Sequence, residues 1–196
     1  MTKQLILDKA LELFTEKGYA GSSMSDIAKA VGIQKASLYS HFSGKESIFE
    51  ALFDGILDEY VASIRELTEG DRRHTGVVSR LSDIFCTFIR YCKDNPKMYF
   101  WDRYYYYPPE FLKDYIQAKT EETNGFFISR ITAIFAEGVA AGEIRWQPPH
   151  KPALAYYYLL IGLSMSVKLF DDNELEQQAA DALDGFLAGI RKSKEM

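Results

Sequence analysis

The sequence predicts an all-α protein of about nine helices, with an N-terminal helix-turn-helix domain of three helices and a larger C-terminal helical domain. Three observations predict this fold class. Apolar residues recur at the i, i+3, i+4, i+7 spacing of a buried helix face along most of the 196 residues. Capping residues, glycines and prolines delimit these segments at lengths typical of helices. No segment alternates between apolar and polar residues over the length that a half-buried strand requires.

The first two predicted helices have clear boundaries. The first spans about residues 2–17 and ends at Gly18. The second follows Ser23, which together with Asp26 matches a capping box. It ends at Gly32, because glycine enters the left-handed region without a Cβ penalty. The two helices are therefore expected to pack closely, with the first holding the angle of the helix-turn-helix.

The third predicted helix, about residues 34–42, has an outer face suited to a groove in nucleic acid. Only Leu38 and Phe42, four residues apart, are strongly apolar and point inward. The outer positions carry small, hydroxylated, basic and aromatic side chains, which can contact base edges and phosphates. These residues are Lys35, Ala36, Ser37, Tyr39 and Ser40.

The remainder of the chain predicts six further helices. Ser43 and Glu46 match a second capping box at the start of the fourth, and Asn173 with Glu176 is expected to cap the ninth. Prolines and glycines separate the other elements. The predicted spans are about 43–67, 77–93, 96–107, 109–141, 152–170 and 173–190, with a polar break at 69–76 and a frayed tail at 191–196.

Charge and composition limit the possible partners. The formal net charge is −5, but residues 1–47 hold six lysines and five acidic residues, so this part is slightly positive. A locally basic region on an acidic body is compatible with DNA binding, because counterion release depends on the contacting groups. The N-terminus lacks the features of a signal peptide, and the apolar run 152–167 is shorter than the roughly 20 residues that span a bilayer. We therefore expect a cytoplasmic protein without a membrane partner.

Cysteine usage gives no indication of a metal site. Cys86 and Cys92 lie six residues apart, which places them roughly 240° apart around a helix. Two thiols in a reducing cytoplasm are the simpler interpretation. We expect neither a metal nor a cofactor.

Residues 18–52 resemble the DNA-binding helix-turn-helix of the TetR/AcrR-type family of transcriptional regulators. The matching pieces are G-Y before the first cap, D-I-A-x-x-x-G-[VI] across the turn, and L-Y-x-H-F-x-x-K-E, which runs from the third helix into the start of the fourth. Val31 and Gln34 depart from the pattern, since the family usually has alanine and a capping serine or threonine there. The resemblance covers about the first quarter of the chain.

The resemblance implies a ligand-responsive repressor that binds a palindromic operator in double-stranded DNA as a homodimer. A small effector, largely apolar or aromatic, would release it. Residues 1–47 would form the DNA-binding domain and residues 48–196 the domain for ligand binding and dimerisation, connected by the fourth helix. Lys35, Ala36, Ser37, Tyr39 and Ser40 would meet base edges or nearby phosphates, and Ser22, Ser23, His41 and Lys45 would hold phosphates.

Two sets of residues in the larger domain are candidates for these functions. The aromatic stretch near residue 100 and its neighbours suggest an effector pocket, although plain core residues would show the same pattern. The pocket candidates are Phe88, Trp101, Tyr104, Phe127 and Ile131. The eighth helix is apolar nearly all round and is expected to pair, with the ninth, against a second subunit, although it can also be the core helix of a monomer. The interface candidates are Tyr157, Leu160, Ile161, Ser164, Leu183, Phe186, Leu187 and Ile190.

Two other classes of function were weighed. An enzyme is disfavoured because the sequence has no HExxH motif, no glycine-rich phosphate loop and no nucleophile–base spacing, and its histidines, His41, His74 and His150, are scattered. A helical adaptor that acts through protein contacts would not need Lys35, Tyr39 or Lys45, and all three are present. For His41, a packed residue at a helix end is the alternative to a phosphate contact. The sequence does not distinguish repression from activation.

Overall fold

The computed structural model describes residues 3–69 and 76–191, and over these ranges the chain is all α. The described residues contain nine α-helices and two short 3₁₀ turns, which confirms the predicted fold class. The only β pairing in these ranges is an isolated bridge between Ile144 and Arg191. The helices are α1 Lys3–Lys17, α2 Met24–Val31, α3 Lys35–Tyr39, α4 Lys45–Glu69, α5 Val77–Asp94, α6 Lys97–Tyr106, α7 Lys113–Ala140, α8 His150–Ser164 and α9 Asp172–Ala188.

Several predicted features lie partly or wholly outside the described residues. Most of the polar break at 69–76, including His74, and the tail at 192–196 belong to this group. Cys86 and Cys92 both lie on α5 as free thiols, the first exposed and the second buried.

The bounds of α3, α4, α7, α8 and α9 differ from the prediction. Helix α7 begins at Lys113, after a 3₁₀ turn at Glu110–Leu112, and α8 ends at Ser164 rather than near residue 170. Helix α3 is only five residues long, although a bond from the Phe42 N–H to the Leu38 carbonyl extends the turn. Helix α4 begins at Lys45, and the Gly44 N–H donates to the Ser47 hydroxyl at 3.2 Å. The predicted cap at Ser43 therefore lies one residue too early.

The N-terminal cap of α9 also lies two residues before its predicted position. The Glu174 N–H donates to the Asp171 carboxylate at 3.0 Å, and the Asp171 N–H donates back to Glu174 at 3.2 Å. This is a complete capping box of the kind that was expected at Asn173.

The described chain divides into two compact units. The first unit comprises residues up to 60 together with 96–120, and the second comprises 61–95 together with 121 onwards. The division falls within helices α4 and α7, so both helices contribute to both units. These units are defined by packing, so the predicted boundary after residue 47 between the DNA-binding domain and the ligand-binding and dimerisation domain stays a prediction.

The first unit is built around Phe49 of α4. Its ring lies 4.8–6.0 Å, centroid to centroid, from five other aromatic rings. Such rings bury large apolar areas and pair favourably at this spacing. The five rings belong to α1, the turn after it, α4 and α6, and they are Phe14, Tyr19, Phe53, Phe100 and Tyr104. Helix α6 is therefore part of the same core as the helix-turn-helix.

The second unit is built around Tyr156 of α8, which is fully buried. Its ring lies 5.6–6.0 Å from Phe85, Phe135 and Phe186. Its hydroxyl donates to the Leu81 carbonyl at 2.6 Å, which satisfies the buried phenol. Helix α5 packs against both α8 and α9 in this unit.

Helix α8 has an inner and an outer apolar face. Ala153, Tyr156 and Leu160 are buried, whereas Leu154 and Tyr158 are 42% and 63% exposed. By length and composition, the segment His150–Leu169 is also apolar enough to cross a membrane, with a mean hydropathy of 1.2 and about a third of it buried. A helix that is apolar on both its inner and its outer face has the same overall composition as a membrane-spanning helix.

The eight residues predicted for the dimer interface differ in exposure, and their role at an interface stays a prediction. Five of them are buried within the chain's own core: Tyr157, Leu160, Leu183, Leu187 and Ile190. The periodicity of a helix that is apolar nearly all round does not indicate which face turns inward. Ile161, Ser164 and Phe186 are partly exposed.

Candidate DNA-binding surface

The two ends of α2 are fixed by the local contacts that the sequence indicated. The Asp26 N–H donates to the Ser23 hydroxyl at 3.2 Å, and the Ser23 N–H donates to the Asp26 carboxylate at 2.9 Å. The bonds from the Ser23 side chain and backbone lower the pKa of Asp26. Gly32 ends the helix with φ +77°. The adjoining Ile33 N–H returns to the Ala28 carbonyl at 3.0 Å, which closes the turn tightly.

Helix α3 packs through one side and exposes the other. Leu38 is fully buried and Phe42 is 5% exposed, and both belong to the core of the first unit. Gln34 precedes the helix in an extended conformation, and its side chain makes no capping bond. All five residues predicted to meet base edges are exposed together on the outer side: Lys35, Ala36, Ser37, Tyr39 and Ser40.

This outer side offers several kinds of contact at short range. The Lys35 ammonium lies 6.0 Å from the centre of the Tyr39 ring, and that tyrosine is 48% exposed. The Ser40 hydroxyl donates to the Ser37 carbonyl at 2.7 Å, which leaves its lone pairs as acceptors. The Lys35 ammonium, the Tyr39 phenol and the Ala36 methyl group can contact base acceptors, phosphates and thymine methyls of a DNA groove.

The four residues predicted to hold phosphates divide into three groups by their exposure and bonding: Ser23 with His41, then Ser22, and then Lys45. Ser23 and His41 are exposed and remain candidates. Ser22 is only 2% exposed, and its hydroxyl is hydrogen-bonded to the carbonyls of Gly18 and Leu13, at 2.8 and 3.2 Å. The Ser22 side chain therefore holds the turn before α2, and a contact of Ser22 with a phosphate stays a prediction.

Lys45 occupies an unexpected position for a phosphate contact. Its ammonium donates to the carbonyls of Tyr19 and Ser22, at 2.6 and 2.8 Å, and lies 4.0 Å from the centre of the Tyr19 ring. Burial lowers the pKa of Lys45. An ammonium has three donors, so one remains for a phosphate. Sequence reasoning missed the internal contacts because their partners lie more than 20 residues away in the chain.

Helix α6 contributes further contacts to the turn between α1 and α2. The Arg103 guanidinium donates to the Thr15 carbonyl at 3.0 Å, and the Tyr104 hydroxyl donates to the Phe14 carbonyl at 3.1 Å. Gly18 has φ +76°, and a Cβ there would meet the Arg103 guanidinium at 2.6 Å. The positive φ favours glycine at this position, whereas the Arg103 side chain could move aside for a Cβ.

The predicted effector-pocket residues fall into both units. Trp101 and Tyr104 belong to the first unit, and Phe88, Phe127 and Ile131 belong to the second. All except Trp101 are buried, and the rings of Phe88 and Phe127 lie 5.6 Å apart. Their contact with an effector stays a prediction.

The second unit also contains a cavity of about 460 Å³ between α5 and α9. Its apolar residues include Ile89, Leu175 and Ala179, and ion pairs of Arg90 with Glu176 and of Lys93 with Asp172 lie at its rim. None of the five predicted pocket residues lines it. The complete lining is Cys86, Ile89, Arg90, Lys93, Asp94, Asp172, Leu175, Glu176, Ala179 and Ala180.

Comparison with known proteins identifies the N-terminal region. Residues 6–52 match the family model of bacterial regulatory proteins of the tetR family. A 48-residue stretch is 58% identical to IcaR, the HTH-type negative transcriptional regulator of the biofilm operon in Staphylococcus aureus strain Newman. That match covers 24% of this chain and 26% of IcaR, so it spans about a quarter of the relative's length.

Solved structures share the fold over nearly the whole chain. The regulator FadR from Bacillus subtilis, solved in complex with stearoyl-CoA, has a TM-score of 0.72 and 18% identity, covering 97% of this chain and 100% of FadR. AibR, solved in complex with isovaleryl coenzyme A and operator DNA, has a TM-score of 0.66 and 20% identity, covering 96% of this chain and 97% of AibR. The family model and the identity to IcaR agree on the N-terminal region: residues 6–52 match the TetR family of bacterial regulatory proteins, and the chain shares the fold of FadR and AibR.

Proposed function

We propose that this protein is a transcriptional repressor that binds a palindromic operator as a homodimer and is released by a small effector. The observation that carries this proposal is the outer side of α3. Five small, hydroxylated, cationic and aromatic residues lie exposed there, while Leu38 and Phe42 anchor the helix in the core. The same segment is the part of the chain that matches the TetR family model and IcaR.

Specific and non-specific contacts have different roles on this surface. Ala36 would read base edges through thymine methyl groups, and Lys35 would donate to a guanine acceptor or to a nearby phosphate. Ser23, His41 and the Tyr39 hydroxyl would hold phosphates and so set the register on the duplex. Both kinds of contact are needed, because phosphate contacts alone carry no sequence information.

The outer face of α8 supports a homodimer. Its exposed apolar residues recur along one side of the helix and continue into the turn that follows it. An unpaired apolar surface of this kind is typical of an interface. A two-fold dimer would place two copies of α3 on half-sites about 34–36 Å apart, or a multiple of that distance. The exposed residues are Leu154, Tyr158, Met165 and Leu169.

A small effector is the third part of the proposal. FadR and AibR were solved with acyl-coenzyme A ligands, which combine an apolar chain with a polar head. The cavity between α5 and α9 lies within the size range of small-molecule sites and has an apolar floor with charged groups at its rim. An effector would release DNA only by binding the DNA-free conformation more tightly.

The predicted aromatic pocket provides a test of the effector's location. Replacing Trp101 with alanine should change the response to an effector more than the affinity for DNA. A Trp101→Ala protein that only unfolds would assign this residue to the core. Effector response is measured as the ligand concentration that halves DNA binding.

The first experiment is a fluorescence-anisotropy titration of the purified protein with DNA from upstream of its own gene, at two salt concentrations. Tight binding that weakens steeply with salt, at two subunits per site, is the expected result. If this DNA does not bind, selection from random DNA identifies an operator elsewhere. Failure of the selection as well would refute the repressor function and favour the adaptor.

A further inference from the structure

Residues 18–22, the turn between α1 and α2, are held from three directions. Lys45 at the start of α4 binds two carbonyls of the turn, and Arg103 of α6 packs against Gly18. The ring of Phe111, in the short 3₁₀ turn before α7, lies 5.1 Å from the ring of Tyr19. All these residues belong to the first unit.

The Lys45 contacts connect the starts of two helices. Ser22, whose carbonyl accepts from Lys45, directly precedes Ser23, the capping residue of α2. Lys45 is itself the first residue of α4. Free N–H groups at helix N-termini are the groups that bind phosphates. The Lys45 ammonium therefore fixes the separation of two potential phosphate sites from inside the protein.

The Phe111 contact joins a third element to the same turn. Leu112, its neighbour, is 1% exposed and anchors this segment in the core, and its N–H donates to the Pro109 carbonyl at 2.9 Å. Phe111 itself is 59% exposed, so its own burial contributes little to stability. Its ring contact with Tyr19, whose ring also lies 4.0 Å from the Lys45 ammonium, restrains the same turn.

We propose that Lys45, Tyr19 and Phe111 are positioning residues that hold the starts of α2 and α4 at the separation one operator half-site requires. The inference rests on the proposed DNA-binding function and adds to it a residue, Phe111, that lies far in sequence from α3. Loss of one member lets the turn occupy other conformations. The apparent affinity then falls with the fraction of molecules that retain the competent conformation.

The test compares two exposed aromatic residues of the same segment. Phe111→Ala should weaken operator binding about two- to tenfold per half-site, the range expected from the loss of one aromatic pair. The salt dependence of operator binding should not change, because no charge is removed. Tyr107→Ala is the matched control, since Tyr107 is 82% exposed in the same segment, and it should bind like wild type.

A double-mutant cycle supplies the second measurement. Lys45→Met and Phe111→Ala both act through Tyr19, so their effects on operator affinity should be less than additive. Additive effects, or a Phe111→Ala protein that binds the operator as wild type does, would overturn the inference and leave the repressor function standing. Wild-type protein that binds no DNA would overturn both. Phe111→Leu, which retains the apolar volume, serves if the alanine variant melts at a lower temperature.

Discussion

Replacing Lys35 with methionine tests the DNA-binding surface through its electrostatics. Lys35 is exposed on the outer side of α3, with its ammonium beside the Tyr39 ring rather than in the core. Methionine keeps most of the apolar stem and removes the charge. The fold should therefore be retained, and the change in DNA binding should come from the lost cation.

The expected magnitude follows from counterion release. Each neutralised phosphate contributes about −0.9 to the slope of log affinity against log salt, so losing Lys35 from both half-sites should reduce the slope by about 1.8. Between about 50 and 200 mM salt, this slope difference corresponds to a factor of about 12. The affinity of wild type divided by that of Lys35→Met should thus be about 12-fold larger at the lower salt concentration than at the higher one.

Fluorescence anisotropy with a fixed operator duplex over a series of salt concentrations measures both slopes. Lys151→Met is the control, because it removes the same charge from an exposed position at the start of α8 and should leave the slope unchanged. Equal affinities of wild type and Lys35→Met at every salt concentration would refute the reasoning. A loss of affinity that is equal at every salt concentration would instead assign Lys35 a role that does not involve ion release.

Three further predictions concern binding, assembly and pH. Tyr39→Ala should weaken operator binding by about 1.5–3 kcal/mol per lost phosphate hydrogen bond. The melting temperature should change little, because the ring is 48% exposed. Affinity equal to wild type in anisotropy titrations would exclude Tyr39 from the site. Tyr158→Glu on the outer face of α8 should convert the dimer into a monomer, as measured by sedimentation, because like charges would meet across the two-fold axis; a persistent dimer would place the interface elsewhere. Burial raises the pKa of Tyr156 well above 10.0. The free energy of unfolding should therefore be level below about pH 10 and fall as the pH rises towards the raised pKa. Urea unfolding midpoints should decline less steeply at alkaline pH for Tyr156→Phe than for wild type.

Features that depend on neighbours along the chain were predictable from the sequence. The Ser23–Asp26 capping box and the left-handed Gly32 were both predicted, and both are confirmed. Each involves residues no more than four positions apart, so the residue types nearly suffice to specify the contact. The inward position of Leu38 follows from helix periodicity in the same way.

Features in which two local solutions compete were less predictable. Ser43 with Glu46 and Gly44 with Ser47 are alternative starts for α4, one residue apart, and the structure uses the second pair. Ile48 and Phe49 are both fully buried, so the packing of α4 limits where the helix begins. The energy difference between adjacent caps is about 1 kcal/mol, which tertiary packing easily exceeds.

The sequence by itself determined the fold class, the position of the helix-turn-helix and the set of residues on the outer side of α3, because helix periodicity and capping are local properties. Only the tertiary structure decided that Ser22 is buried, that Lys45 binds the carbonyls of a distant turn, and that Leu154 and Tyr158, rather than Tyr157 and Leu160, form the outer face of α8. The physical reason is that burial depends on which elements pack together, and an apolar helix or a lysine carries no periodic signal that identifies its distant partner.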